Sequence, residues 1–349
     1  MILGFFLVAS VATLDFGAPE ISGSWIAGCD NRSDCVITNL PTDEEGIGDE
    51  RDSEVGVEIQ IARAYDVTRP ITVTLNAGWG KEAARQLQGS VVRIDGRPLP
   101  LRPLWNDGTA TFTAGDAARL ARAMRSAERL EIVSGTKVLA NASIDGLLPL
   151  LTLADRVQKR MGTTAALAVP GQKPATPRTI PPREPDAPIA APPLSSAPSV
   201  TLSAEKFADI LRSDPCREYS DKDALQPEVE YVRLDRDTTL ALVGTYCGGY
   251  NPTIRLFLVD NDGSARPAPF GPHPFFDPAE TETTLPGAWW DDKAHILRSF
   301  GRARGLGDCG EQVHYAWDGQ AFQTVEYASM PECRGSYRYA VTYRKDVRR

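Results

Sequence analysis

A chain of 349 residues with 42% apolar and 24% charged content is long enough for two domains of ordinary size, each with its own core. A formal charge of −8 and a pI near 5.1 argue against a nucleic-acid partner, which needs a clustered basic face, and give no attraction to anionic lipid.

The chain opens MILGFFLVASVATLDFG. Ile2 to Ala12 is almost wholly apolar, yet roughly 11 residues are too few to span a bilayer, which takes about 20. An apolar run followed by small residues suits a secretory signal, with Ser10-Val11-Ala12 as the candidate cleavage site. Residues 1–18 are therefore read as a signal segment, which predicts a periplasmic or secreted protein with no transmembrane span after its removal. Six cysteines follow: Cys29, Cys35, Cys216, Cys247, Cys309 and Cys333. Oxidising compartments keep such sets as disulfides. Proximity in the chain favours Cys29–Cys35, Cys216–Cys247 and Cys309–Cys333, although spacing alone does not choose among the pairings.

Residues 19–163 read as a first, β-rich domain. Val55, Val57, Ile59 and Ile61 alternate as in a half-buried strand, and 71–76 and 90–96 continue the pattern, with Asp95-Gly96 as a turn. AARLARAMRSAE predicts a helix with Leu120, Ala121 and Met124 on one face. GLLPLLTLADRVQKRMG predicts a second, kinked at Pro149. Residues 164–200 form the linker. Between Pro170 and Val200 there are ten prolines and no aromatic residue, so this stretch reads as an extended, semi-rigid tether between modules that move independently.

Residues 201–349 read as a second β-rich domain holding four cysteines. Ser203 is an N-cap for AEKFADILR, and strands are expected over 228–234, 238–247, 253–259, 294–301, 313–319, 321–327 and 336–344. The expected fold is mainly β (α+β): two antiparallel β-sandwich or barrel-like domains with a few short helices.

Gly305-Leu306-Gly307-Asp308-Cys309-Gly310 has the G-x-G-x-x-G spacing of a dinucleotide turn. That fingerprint works only between a strand and a helix, and here the alternating Val313, Tyr315 and Trp317 predict a strand instead. The glycines are better read as letting a tight loop bring Cys309 to Cys333, and no cofactor is expected. Structural zinc favours paired C-x₂₋₄-C spacings, which are absent; Cys309 with His314 is the residual metal reading. No G-x-S-x-G elbow is present, so a hydrolase would have to gather His295 or His314 with Asp291 or Asp292. The acidic stretch 43–54 and 259–263 read as a solvated loop and a hairpin turn rather than calcium sites. Trp289-Trp290-Asp291-Asp292 fits a sugar-facing platform or a core tryptophan beside a turn. The candidate interaction surface is Trp289, Trp290, His273, Phe275 and Phe276.

Trp25-Ile-Ala-Gly-Cys29-Asp30-Asn31 with Cys35, Leu153-Ala-Asp155-Arg-Val-Gln158-Lys-Arg160-Met-Gly162-Thr163 with Ala165-Ala166-Leu167, and Arg304-Gly-Leu-Gly-Asp308-Cys309-Gly310 with Trp317-Asp318-Gly319, Phe322 and Pro331-Glu-Cys333-Arg334 together resemble domain-of-unknown-function family 1176. The first domain is also similar to invasion-associated locus B proteins, exported β domains with a tryptophan before a short cysteine-closed loop. These resemblances imply export and a disulfide framework and carry no catalytic residue. The expected function is non-catalytic binding of an envelope protein or a glycan. The rivals are an enzyme inhibitor, acting through loop 273–278 or 43–54, and a hydrolase of envelope polymer.

Overall fold

A computed structural model describes residues 18–40, 55–77, 85, 87–101, 103–184, 186–213, 228–245, 249–272 and 284–349. The signal segment up to residue 17, stretch 43–54, Cys216, Cys247, His273, Phe275 and Phe276 lie outside the described residues. Within them the chain is mainly β and predominantly antiparallel, with three short helices.

The first half contains β1 (Glu20–Ser22), β2 (Trp25–Cys29), β3 (Cys35–Asn39), β4 (Val55–Gly56), β5 (Glu58–Arg63), β6 (Thr72–Asn76), β7 (Val91–Ile94), β8 (Arg97–Pro98), β9 (Leu104–Asn106), β10 (Thr109–Thr111), β11 (Arg129–Ser134) and β12 (Lys137–Ser143). They form a seven-stranded sheet, β1-β2-β3-β5-β6-β10-β9, and a five-stranded one, β4-β12-β11-β7-β8. The alternation seen in the sequence buries Val57, Ile59 and Ile61 while Glu58 and Gln60 stay half-exposed.

Helix α1 (Ala114–Met124) begins where the Thr113 side chain accepts the Asp116 N–H, and turns Ala117, Leu120, Ala121 and Met124 inward. Helix α2 (Leu147–Val157) follows Gly146. Pro149 falls in its first turn, where its missing N–H has no helical acceptor to lose, so the helix runs on past the expected kink. Leu120, Met124, Leu147 and Leu151 join residues of both sheets in one core.

In the second half, β13 (Ile189–Ala190) and α3 (Ala204–Arg212) precede β14 (Val229–Arg233), β15 (Thr238–Thr245), β16 (Thr253–Asp260), β17 (Ala265–Pro267) and β18 (Thr284–Pro286). The next sheet has the order β19-β20-β21-β22-β23, built from β19 (Trp289–Asp291), β20 (Ile296–Arg302), β21 (Gly310–Trp317), β22 (Phe322–Met330) and β23 (Ala340–Arg344). The two sheets make a sandwich: Leu240, Leu242, Leu256 and Leu258 face Leu297, Val313, Tyr315, Trp317 and Phe322. Helix α3 lays Phe207 and Ile210 on the outer residues Ala241, Val243, Phe257 and Val259. Strand β15 is thus buried on both faces, which is why its sequence reads as a continuous apolar run.

The two halves meet. Strand β2 packs against β23 so closely that a Cβ on Gly28 would lie 2.8 Å from the Val341 carbonyl oxygen. Ile26, Leu40, Cys309, Met330 and Ala340 fill this junction.

The proline-rich stretch differs from the expected tether. Ile180 and Ile189 are each only 4% exposed, and β13 pairs in parallel with β24 (Val347–Arg348). Arg183 donates to the Asn31 carbonyl and the Ser33 hydroxyl, each at 2.7 Å. Proline fixes φ in advance, so an extended segment loses little further entropy when a few apolar and charged anchors dock it.

Candidate functional site

Two of the sequence motifs build one buried polar knot. Cys29 and Cys35 lie opposite each other at the ends of β2 and β3 and form a disulfide, closing loop 30–34. Asn31 in that loop exchanges hydrogen bonds with the Arg344 backbone at 2.8 and 3.0 Å and donates to Asp186 at 2.7 Å. Arg32 pairs with Asp346 at 2.8 Å. Gln158, fully buried, donates to the Ser33 and Arg63 carbonyls at 2.9 and 2.7 Å. One five-residue loop therefore holds the first half, the proline-rich stretch and the C-terminal strands. Burial pushes the Asp30 carboxyl above its usual range, against the backbone N–H groups of Asp34 and Arg32.

Behind it, the Asp155 carboxylate, side chain 1% exposed, accepts from Arg63 Nη2 at 2.7 Å and from the Leu167 and Ala168 N–H groups at 2.9 Å. Arg160 donates to the Ala64 and Tyr65 carbonyls at 2.7 and 3.0 Å. Burial, with Arg63 beside it, lowers the Arg160 guanidinium to about 10. Burial also lowers Arg63, whose charge Asp155 supports. Asp155, Gln158 and Arg160 belong to the mid-chain motif of the sequence, whereas Arg63 lies outside it on β5.

The G-x-G-x-x-G stretch is the loop between β20 and β21. Its Cys309 is fully buried and joined to Cys333, so the sulfur is not available to a metal shared with His314. Asp308, also fully buried, is gripped by Arg304 through two hydrogen bonds and by the Gly335 N–H at 2.7 Å. These contacts, the guanidinium first, hold its carboxyl down at about 2. Among the described residues no group of His, Cys, Asp and Glu is arranged to hold a metal. The third expected disulfide, Cys216–Cys247, lies outside the described residues.

One tryptophan and one histidine candidate, Trp289 and His314, lie on the outer face of the β19–β23 sheet. Trp289, Arg298, His314, Glu326 and Arg344 stand opposite one another, strand by strand, across all five strands. Arg298 bonds Asp291 at 2.9 Å and His314 Nε2 at 2.9 Å; Glu326 lies 3.4 Å from His314 Nδ1 and 3.2 Å from Arg344. Trp290 points the other way, into the sandwich core, while Trp289 is 44% exposed. Trp290 is thus the core tryptophan beside a turn, and Trp289 is the exposed member of the pair.

A guanidinium only donates, so His314 Nε2 is the acceptor and its proton sits on Nδ1, toward Glu326. Burial lowers the His314 pKa from 6.5; Glu326 opposes this and Arg298 adds to it. Folding therefore favours the neutral imidazole. Its contribution is present above about pH 6.5 and is lost as the pH falls through the lower folded-state value. Thermal melts at pH 7.5 and 5.0 are expected to show a larger acid-induced fall for the wild type than for His314→Gln, which keeps an acceptor for Arg298 but does not titrate. Equal falls would mean that His314 does not titrate with unfolding.

Of the hydrolase grouping, Asp291 and His314 meet through Arg298, which bonds both side chains. His295 sits in the β19–β20 turn at φ 52°, and its carbonyl accepts from Arg349. Asp291 caps that turn through the Lys293 and Ala294 N–H groups.

This is a two-part, β-rich protein whose halves are pinned together by a cysteine-closed loop and a buried ionic knot. A family model described as protein of unknown function (DUF1176) matches residues 22–344, and the chain belongs to that family. It is 27% identical over 353 residues to the uncharacterized protein YpfG of Escherichia coli (strain K12), covering 94% of this chain and 93% of that one. No solved structure matches. No described helix is long and apolar enough to cross a membrane.

Proposed function

We propose that the chain is an exported protein of the bacterial envelope, periplasmic or secreted, that acts by non-catalytic binding. Export is supported by the apolar opening segment and by the Cys29–Cys35 and Cys309–Cys333 disulfides, which persist in an oxidising compartment. The weaker likeness of Trp25–Cys35 to invasion-associated locus B proteins points to the same compartment. Cys216–Cys247 is the third pair on this reading, and residues 19–163 and 201–349 are its two modules.

The observation that carries binding is Trp289. An indole 44% exposed stands at the edge of a sheet whose neighbouring polar groups are already paired and held in place. A fixed aromatic face beside carboxylates and guanidinium groups suits a glycan, whose C–H faces stack while its hydroxyls take the polar rim. The test is sedimentation of the full chain with purified peptidoglycan sacculi. The wild type should co-sediment, and Trp289→Ala should weaken it about ten-fold or more, the size of one lost aromatic contact. Equal sedimentation of the two proteins would refute the glycan reading. Intact mass after alkylation should show six protected cysteines and a start between residue 13, after the Ser10-Val11-Ala12 site, and residue 19; cysteines labelled before reduction would reopen the compartment.

A further inference from the structure

The loop joining β20 to β21 is anchored on both sides of its apex by backbone and side-chain hydrogen bonds, yet it holds Leu306 out in water. Ala303 N–H bonds the Cys309 carbonyl at 2.9 Å and Gly307 N–H bonds the Arg304 carbonyl at 3.0 Å. The Tyr250 and Tyr339 hydroxyls donate to the Ala303 and Gly307 carbonyls, both at 3.1 Å. Arg304 also donates to the Cys333 carbonyl at 3.0 Å. At the outer end Leu306 is 55% exposed. Beside it the Tyr250 ring, 45% exposed, lies against Gly305. Tyr337, 60% exposed, follows two residues after Gly335, which is itself bonded to the loop's Asp308. Of the ten large apolar side chains exposed among the described residues, Leu306 thus stands on this loop, and Tyr250 and Tyr337 stand on segments bonded to it.

We infer that the 302–308 loop is a preformed docking element that inserts Leu306 into a concave, acid-rimmed cleft on a folded partner protein. The charge around it selects that rim. Asp308, the carboxylate of the loop, is buried and held by Arg304, whereas the exposed Arg302 has its guanidinium on the Phe300 ring and the Tyr250 carbonyl. The surface left outside is leucine, tyrosine and arginine, and the last two are the residues most enriched where protein interfaces derive their energy. A glycan fits worse. Four of the loop carbonyls are already taken within the protein, and an aliphatic apex offers a sugar neither a flat ring nor a hydrogen bond. Anchoring before contact removes the entropy that a mobile loop would lose on binding.

The inference rests on the binding reading above only in that the protein acts by association. For the test, detergent-solubilised envelope proteins are passed over the immobilised, oxidised full chain, and the retained protein is identified and purified. Its affinity is then measured for the wild type, Leu306→Asp, Leu306→Met, Arg302→Glu and Trp289→Ala. Leu306→Asp should weaken it about 30-fold or more at an unchanged melting temperature, since that side chain is already in solvent. Leu306→Met should stay within about three-fold, and Arg302→Glu should weaken binding most at low salt. Amide exchange should slow at 302–308 in the complex. Affinity unchanged by Leu306→Asp, slowed exchange elsewhere only, or no saturable protein retained would each overturn the inference. Sacculus binding lost with Trp289→Ala but not with Leu306→Asp would leave the glycan reading standing without it.

Discussion

Replacing Asp155 by alanine is expected to destabilise the protein by about 3–5 kcal/mol, the cost of leaving one member of a buried ion pair alone. For a protein of this size that lowers the melting temperature by roughly 10 °C. The carboxylate is the acceptor for Arg63 and for the Leu167 and Ala168 N–H groups, all buried. Without it, the Arg63 guanidinium faces Arg160, whose own charge already disfavours its neighbour. Loop 163–168 loses its anchor as well. The double variant Asp155→Leu/Arg63→Met separates charge from shape. Removing both partners should recover much of the loss, because an apolar pair of similar volume leaves no stranded charge. Thermal melts of the single and double variants decide the matter. A single-variant loss below about 1 kcal/mol would mean that water reaches the knot.

That knot also marks where the sequence stopped being legible. Strands with one wet face, such as β5, declare themselves by alternation. Strand β2 does not, because Trp25 and Ala27 enter the first core while Ile26 enters the junction, so every position reads apolar. The β11–β12 hairpin does not declare itself either, because Ala140, Asn141 and Ala142 carry little apolar signal. Asp155 sits on the buried face of a helix, and its partner lies 92 residues away, so no local pattern links the two. Composition showed that the proline-rich stretch is extended, not that Ile180 and Ile189 dock it. In the candidate site, Trp289 and Trp290 were legible as a pair, but only the strand register separates the wet one from the dry one. Cys29–Cys35 and Cys309–Cys333 are two of the pairs that proximity in the chain favours, but spacing alone does not choose them; the strands that bring the sulfurs together do.

Gly310→Ala is expected to cost about 4 kcal/mol and to leave Cys309 and Cys333 incompletely oxidised after refolding. Its φ of +134° lies where side chains are strained, and a Cβ there would stand 2.0 Å from the Gly301 carbonyl oxygen. Backbone on both sides has to part, which breaks the register of β20 against β21 beside the disulfide. Gly307→Ala, at φ +71° with only ordinary contacts to Phe300 and Arg302, should cost about 1–2 kcal/mol. Gly305→Ala should be close to neutral, because its Cβ would meet nothing nearer than the Tyr250 ring at 3.7 Å. This order separates the two meanings of the motif. A dinucleotide turn uses its first glycine for the tight bend and its second for the approach of the pyrophosphate, so the first position is among its least tolerant. A loop that folds back onto a disulfide makes the last position critical instead. Thermal melts and thiol counts on the three variants read that order directly. Gly305→Ala as the most damaging of the three would restore the nucleotide reading, and Gly310→Ala in that place assigns the glycines to closing the Cys309–Cys333 loop.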